Sequence, residues 1–101
     1  MELKQAQIKV DELIKTYGGY WEPLSMYARL VEEVGELGRT MNIKFGGKKS
    51  KSSKESNKSE EELADVLFTT LAIANKLNIN LDKEFNDKLN KDFEKCKGVY
   101  K

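Results

Sequence analysis

Between Leu63 and Ala74 the chain reads Leu-Ala-Asp-Val-Leu-Phe-Thr-Thr-Leu-Ala-Ile-Ala, and wound as a helix this run is apolar around most of its circumference. Such a rod needs cover from neighbouring helices on several sides, which predicts a bundle with this segment deep inside it. The rest of the chain supplies the neighbours. Leu3, Ala6, Val10, Leu13, Ile14 and Tyr17 recur at three- and four-residue spacing, predicting an amphipathic helix that Gly18-Gly19 ends. Pro23, favoured in a first helical turn, opens a second helix whose apolar side reads Tyr27, Leu30, Val31, Val34, Leu37 and Met41 before Gly46-Gly47. Ser59, with Glu62 three residues on, forms a capping box for the third helix, which runs to about Leu77. Asp82 is placed to cap a fourth that carries Phe85, Leu89 and Phe93. The expected fold is an all-α four-helix bundle.

Residues 46–58 stand apart. They carry Lys48, Lys49, Lys51, Lys54 and Lys58 against Glu55 alone and have no large apolar side chain, so they cannot join a core and are expected to form a mobile loop. With 101 residues, a single domain over 1–101 is expected, because two cores would leave about 50 residues each, near the lower limit for unaided folding. A wholly apolar third helix asks for more cover than three short helices supply, so a homodimer or homotetramer is expected. No apolar run approaches the roughly 18 residues of a membrane span, and Met1-Glu2-Leu3-Lys4-Gln5 lacks the apolar stretch of a secretory signal. The chain therefore reads as cytoplasmic.

Absences narrow the chemistry. With no histidine and Cys96 as the one cysteine, the sequence cannot build a His or Cys zinc site, a Ser-His-Asp or Cys-His pair, or an internal disulfide. Eighteen basic and seventeen acidic residues leave a net charge of +1, which argues against a dedicated nucleic-acid surface. Cys96 has no partner and no evident role.

What remains is carboxylate chemistry. Asp65 sits inside the apolar run, and on a helix Glu62, Asp65, Thr69 and Ala72 fall on one stripe at i, i+3, i+7 and i+10. Burying an ionised carboxylate alone is costly, so it takes up a proton, pairs with a residue such as Arg29, or binds a cation. In the second helix Glu33 and Glu36 are also i and i+3, beside Glu32. Two such pairs on facing antiparallel helices can present four oxygen donors to one ion, as bundle proteins do in their cores. Oxygen-only ligation selects magnesium or manganese, and magnesium shares its sphere with substrate phosphates. A solvated acidic face is the competing reading for glutamates on a helix, and it suffices for Glu60 and Glu61. The residues alone thus point to metal-assisted chemistry on a phosphate compound.

Glu32-Glu33-x-x-Glu36 and, after a gap of 25 residues, Glu62-x-x-Asp65 resemble the paired acidic motifs of the MazG-like, all-α nucleoside triphosphate pyrophosphohydrolases. Tyr17-Gly18-Gly19-Tyr20-Trp21, Phe45-Gly46-Gly47-Lys48 and the stretches flanking both motifs extend the resemblance over about residues 10 to 92, to the short single-domain branch of that family. The resemblance implies hydrolysis of a nucleoside triphosphate, non-standard or deoxy, to the monophosphate and pyrophosphate, as house-cleaning of the nucleotide pool. It implies Glu33, Glu36, Glu62 and Asp65 as Mg2+ ligands, with Mn2+ as a substitute, and Glu32 as the base that orients or deprotonates water. Asn75 matches a substrate-proximal position, although a polar residue near a helix end explains it equally well. Lys48, Lys91 and Lys95 are candidates for phosphate contact, yet the carboxy-terminal end lacks the arginines often found there. Trp21 and Tyr20 can stack on a base or simply pack at the helix start. Two rival readings remain: phosphoribosyl-ATP pyrophosphohydrolase, which the long loop and the Gly-Gly-Tyr-Trp entry fit poorly, and a non-catalytic helical binding or assembly module.

Overall fold

The computed structural model describes residues 1–47 and 59–99, so Lys48 and the rest of the basic segment to Lys58 lie outside the described residues. Four helices follow in order: α1, Leu3–Thr16; α2, Pro23–Phe45; α3, Ser59–Lys76; and α4, Leu81–Val99. The described residues contain no strand, and the all-α architecture expected from the periodicity is what the chain adopts.

The helix ends follow from local chemistry. At the end of α1, Gly18 and Gly19 take φ of 106° and 104°, a left-handed region that side chains disfavour, and the Gly19 amide closes the turn on the Ile14 carbonyl at 3.0 Å. Asn78 does the same after α3 at φ 57°, with the Ile79 amide on the Ala74 carbonyl at 2.8 Å, so the helix stops within a residue of the end expected at about Leu77. Two capping expectations are corrected. The side chain that receives an amide at the start of α4 is Asn80, from Lys83 at 3.2 Å, whereas Asp82 accepts from the Lys4 amide at 3.0 Å and so caps α1 across the chain. Ser59 is itself helical and its hydroxyl donates to Thr40 Oγ1 at 3.3 Å, while Glu62 is buried instead of reaching back as a box partner.

α3 is the hub, packing on α2 along most of its length and on α1, while α4 rests against α1. Thr40 meets Ser59 at one end of the α2·α3 contact, and Met26 joins Leu71 and Ala72 at the other, so the two helices run antiparallel. The core is small. Val10, Met26, Leu71 and Ala72 are its buried members, with Leu3, Ala6, Ile14, Tyr20, Ile73 and Leu81 packed around them.

Two expectations about burial change. Leu63, Leu67 and Phe68 remain exposed, so α3 is covered on one side and not all round. On α2 the inward stripe is Met26, Leu30, Glu33, Leu37 and Thr40, whereas Tyr27, Val31, Val34 and Met41, read from sequence as core-facing, lie outside. Leu24, Tyr27, Val31, Val34, Met41 and Phe45 form a second apolar stripe at alternating spacings of three, four and seven, the seven spanning Gly38. Both stripes have helical period, so sequence alone does not tell which one faces the fold.

A polar clasp fixes α1 against α3. Gln7 Nε2 donates to Asn75 Oδ1 at 3.0 Å and to the Ile79 carbonyl at 2.9 Å, its Oε1 accepts from the Leu81 amide at 3.1 Å, and Asn75 Nδ2 donates to the Gln7 carbonyl at 2.8 Å. One side chain thus ties α1, the end of α3 and the start of α4. Gln7→Ala should lower stability by about 1–3 kcal/mol, because the Leu81 amide and the Asn75 carbonyl oxygen lose their partner, and urea unfolding should show it. An unchanged midpoint would mean that water replaces the clasp without loss.

Candidate active site

Glu33 and Glu62 occupy the interior of the α2·α3 contact because each lies in the inward stripe of its helix. Glu33 is 2% exposed and Glu62 8%, values ordinary for core leucines and expensive for carboxylates. One oxygen of each, Glu33 Oε2 and Glu62 Oε2, is fully buried without a hydrogen-bond partner. Asp65 completes the group: one carboxylate oxygen from each of Glu33, Glu62 and Asp65 falls within 4.8 Å of the others. Asp65 itself is exposed, so the deeply buried acids are its neighbours, contrary to the expectation from its place in the apolar run. Glu36, also exposed, lies against Glu62 and adds its charge to the group.

The crowding shows in the protonation of the buried pair. Burial, above all, holds the Glu33 carboxyl above its ordinary 4.5; the charges of Glu36 and Asp65 push the same way and Arg29 pulls back. Glu62 is raised by burial first, then by the adjacent Glu36 and the charges of Asp65 and Glu33. Orphaned buried oxygens, acids that resist ionisation and an all-oxygen donor set suit a small hard divalent cation, which would neutralise the group and satisfy both orphans.

The group opens into a cleft of about 560 Å³, a volume suited to a small-molecule ligand. Glu33, Asp65 and Arg29 line it, together with Leu13, Tyr17, Tyr20, Trp21, Met26 and Phe68. The turn after α1 makes one wall: Gly18-Gly19 reverse the chain, and Tyr20 is then pinned by donating its hydroxyl to Asp11 Oδ1. Burial and that bond push the Tyr20 hydroxyl up to about 12, so it stays a donor, while Asp11 is lowered, chiefly by Tyr20 and then by Lys15. Trp21 follows directly and stands 61% exposed in the lining.

The other expected residues are placed unevenly. Glu32 adjoins Glu33 on α2 with a largely exposed side chain, its Oε2 3.4 Å from Arg29 Nη1. Asn75 belongs to the clasp and lines a separate depression with Gln7, Asp11 and Asn78, not the cleft that holds Glu33 and Asp65. Lys91 and Lys95 are on α4, which contributes none of the cleft lining among the described residues, and Lys48 is not described. Sequence reasoning missed Arg29 as a site residue, weighing it merely as a counterion for Asp65. Its spacing of three and four residues before Glu32 and Glu33 was the available signal.

Comparisons with known proteins give the family and the fold. The model of the MazG nucleotide pyrophosphohydrolase domain matches residues 21–100. The chain belongs to the MazG family. It is 43% identical over 82 residues to the Bacillus subtilis (strain 168) protein YpjD, covering 80% of this chain and 74% of that one. The crystal structure of Bacillus subtilis YpjD superposes with a TM-score of 0.77 at 41% identity, covering 90% of this chain and 94% of the other. That of the Bacillus-conserved MazG protein, a nucleotide pyrophosphohydrolase, gives 0.76 at 41% identity, covering 90% and 88%. The MazG chain described here is thus an all-α enzyme of the nucleotide pyrophosphohydrolase type, and its carboxylate group lies within the matched domain. None of its described helices is long and apolar enough to cross a membrane.

The raised carboxyls make a pH prediction for the metal-free MazG protein. A carboxyl whose pKa rises on folding stabilises the native state fully below its unfolded value, here 4.5, and loses that contribution as pH climbs through the folded value. Glu62→Gln, neutral at every pH, should therefore melt above the wild type at pH 7 in chelator, with the difference shrinking towards pH 4.5. A difference independent of pH would show that Glu62 does not titrate with folding.

Proposed function

We propose that this MazG protein hydrolyses a nucleoside triphosphate to the monophosphate and pyrophosphate in a magnesium-dependent reaction, with manganese as a substitute, and that a non-standard or deoxy nucleotide is its substrate in the cell. The observation that carries the reading is the pair of buried, partnerless carboxylate oxygens on Glu33 and Glu62, two acids grouped with Asp65, with Glu33 and Asp65 lining an aromatic cleft. A module that only bound a helix would be more stable with apolar residues at those two positions.

Glu33, Glu62 and Asp65 would hold the cation, with Glu36 beside them. When bound, it would supply charge neutralisation to the triphosphate and to the oxygens that gain charge at the α-phosphorus. Glu32, a carboxylate open to solvent one residue from the group, is the base that takes a proton from water. Tyr17, Tyr20, Trp21 and Phe68 offer aromatic faces for the base, and the Tyr20–Asp11 bond keeps that wall in place before substrate arrives.

The outer α2 stripe is read as the contact with a second copy of the chain. Its side chains are 48% to 82% exposed, and Leu63 and Leu67 add to the uncovered surface on α3. A heptad-like stripe on a long helix matches its own image across a two-fold axis, which makes a homodimer the simplest cover. Phe85, Leu89 and Phe93 on α4 offer a further contact for a tetramer.

Asp65→Asn and Glu36→Gln should each abolish turnover with the helical circular dichroism intact, whereas Glu61→Gln should do little. In oxygen-18 water the label should enter the nucleoside monophosphate and leave pyrophosphate unlabelled. Label in pyrophosphate, or release of orthophosphate, would contradict attack at the α-phosphorus. For the assembly, Val34→Asp should shift the mass measured by light scattering towards one chain. A wild type that is already monomeric at micromolar concentration would disprove the second-copy reading.

A further inference from the structure

The cleft poses an electrostatic problem that the carboxylate group does not solve. A triphosphate carries several negative charges, and the cleft that would receive them already presents Glu33 and Asp65. A bound divalent cation offsets part of this excess, and a fixed cation from the protein is needed for the rest. The lysines favoured by sequence do not provide it: Lys91 and Lys95 are on α4, away from the cleft. Among the described residues that line the cleft, Arg29 is the one cation.

Arg29 has carboxylate partners on its own helix. Its Nη2 lies 2.9 Å from Glu33 Oε1 and its Nη1 3.4 Å from Glu32 Oε2, while half of the side chain is open to solvent. Both partners precede or line the proposed chemistry and both sit on its own helix, at i+3 and i+4. The Glu32 pair is exposed on both sides and weak, whereas Glu33 is buried, so Arg29 leaves that carboxylate only where another cation replaces it. A guanidinium fork matches two phosphate oxygens as well as it matches two carboxylates.

Resting on the reading of the site given above, we infer that Arg29 is the phosphate-binding residue of this cleft, kept on Glu32 and Glu33 as a stand-in cation until a divalent ion takes Glu33 and releases the fork to the nucleotide. The order of events follows from charge alone. A cation held by Glu33, Glu62 and Asp65 would compete with Arg29 for the same carboxylate, leaving the guanidinium fork free to pair with phosphate oxygens. Metal and nucleotide are thereby coupled through one side chain, because each removes a reason for Arg29 to stay where it is.

The coupling separates Arg29 from a residue that merely supports α2. Mn2+ binding is followed by electron paramagnetic resonance without nucleotide, and pyrophosphate release is followed with magnesium, for the wild type, Arg29→Gln and Arg29→Lys. Arg29→Gln should bind Mn2+ about threefold more tightly, since a competing charge is gone, and raise KM about tenfold with a smaller change in kcat. Arg29→Lys, which keeps the charge and loses the fork, should bind Mn2+ like the wild type and recover only part of the KM. An unchanged KM in Arg29→Gln overturns the inference, as does Mn2+ affinity that is unaltered or weakened. A wild type that binds no Mn2+ and releases no pyrophosphate overturns the reading of the site, and the inference with it.

Discussion

Two glutamates in the α2·α3 contact set the terms for the rest of this molecule. Glu33 and Glu62 each leave a buried oxygen without a partner, and no arrangement of two packed helices alone makes that favourable. The surrounding structure answers in parts. Arg29 reaches one oxygen of Glu33, burial keeps both carboxyls reluctant to ionise, and the group stays open on the side of Asp65 and Glu36. On the proposed reading, a cation bound among these carboxylates would relieve that unfavourable charge, which would link its affinity to stability by mass action.

That arrangement requires rigidity elsewhere, and polar bonds supply it where the apolar core is thin. Four buried apolar residues form the central cluster. The Gln7–Asn75 clasp and the Asp82 cap on α1 hold α1, α3 and α4 in register, and the Tyr20–Asp11 bond fastens the turn that walls the cleft. Asn75 thus bears on the cleft through the placement of α1, whose Leu13 and Ile14 line it, and through its side-chain interaction with Tyr20. The price of so small a core is the apolar surface left outside, on the outer stripe of α2 and at Leu63 and Leu67, which the proposed second copy would cover.

Much of this was legible in the sequence, and the reasons are local. Helix periodicity, Pro23 and the Gly18-Gly19 pair located α1 and α2 because backbone propensity and capping act over a few residues. The i, i+3 acids on α2 and α3 were recognisable as one centre because helical spacing brings such pairs to one face before any packing occurs. The absence of histidine and the solitary cysteine removed most other chemistries by composition.

The sequence by itself thus determined the helices, the acidic centre and the class of chemistry, all of which depend on spacing along single helices. Which acid is buried, which stripe of α2 faces inward, where Asn75 and the α4 lysines lie, and that Arg29 shares Glu33 were decided by tertiary structure. Those outcomes depend on the rotation of one helix against another, and two apolar stripes of the same period on α2 permit more than one rotation. Packing chose the rotation that puts Glu33 against Glu62, leaving Val31 and Val34 outside.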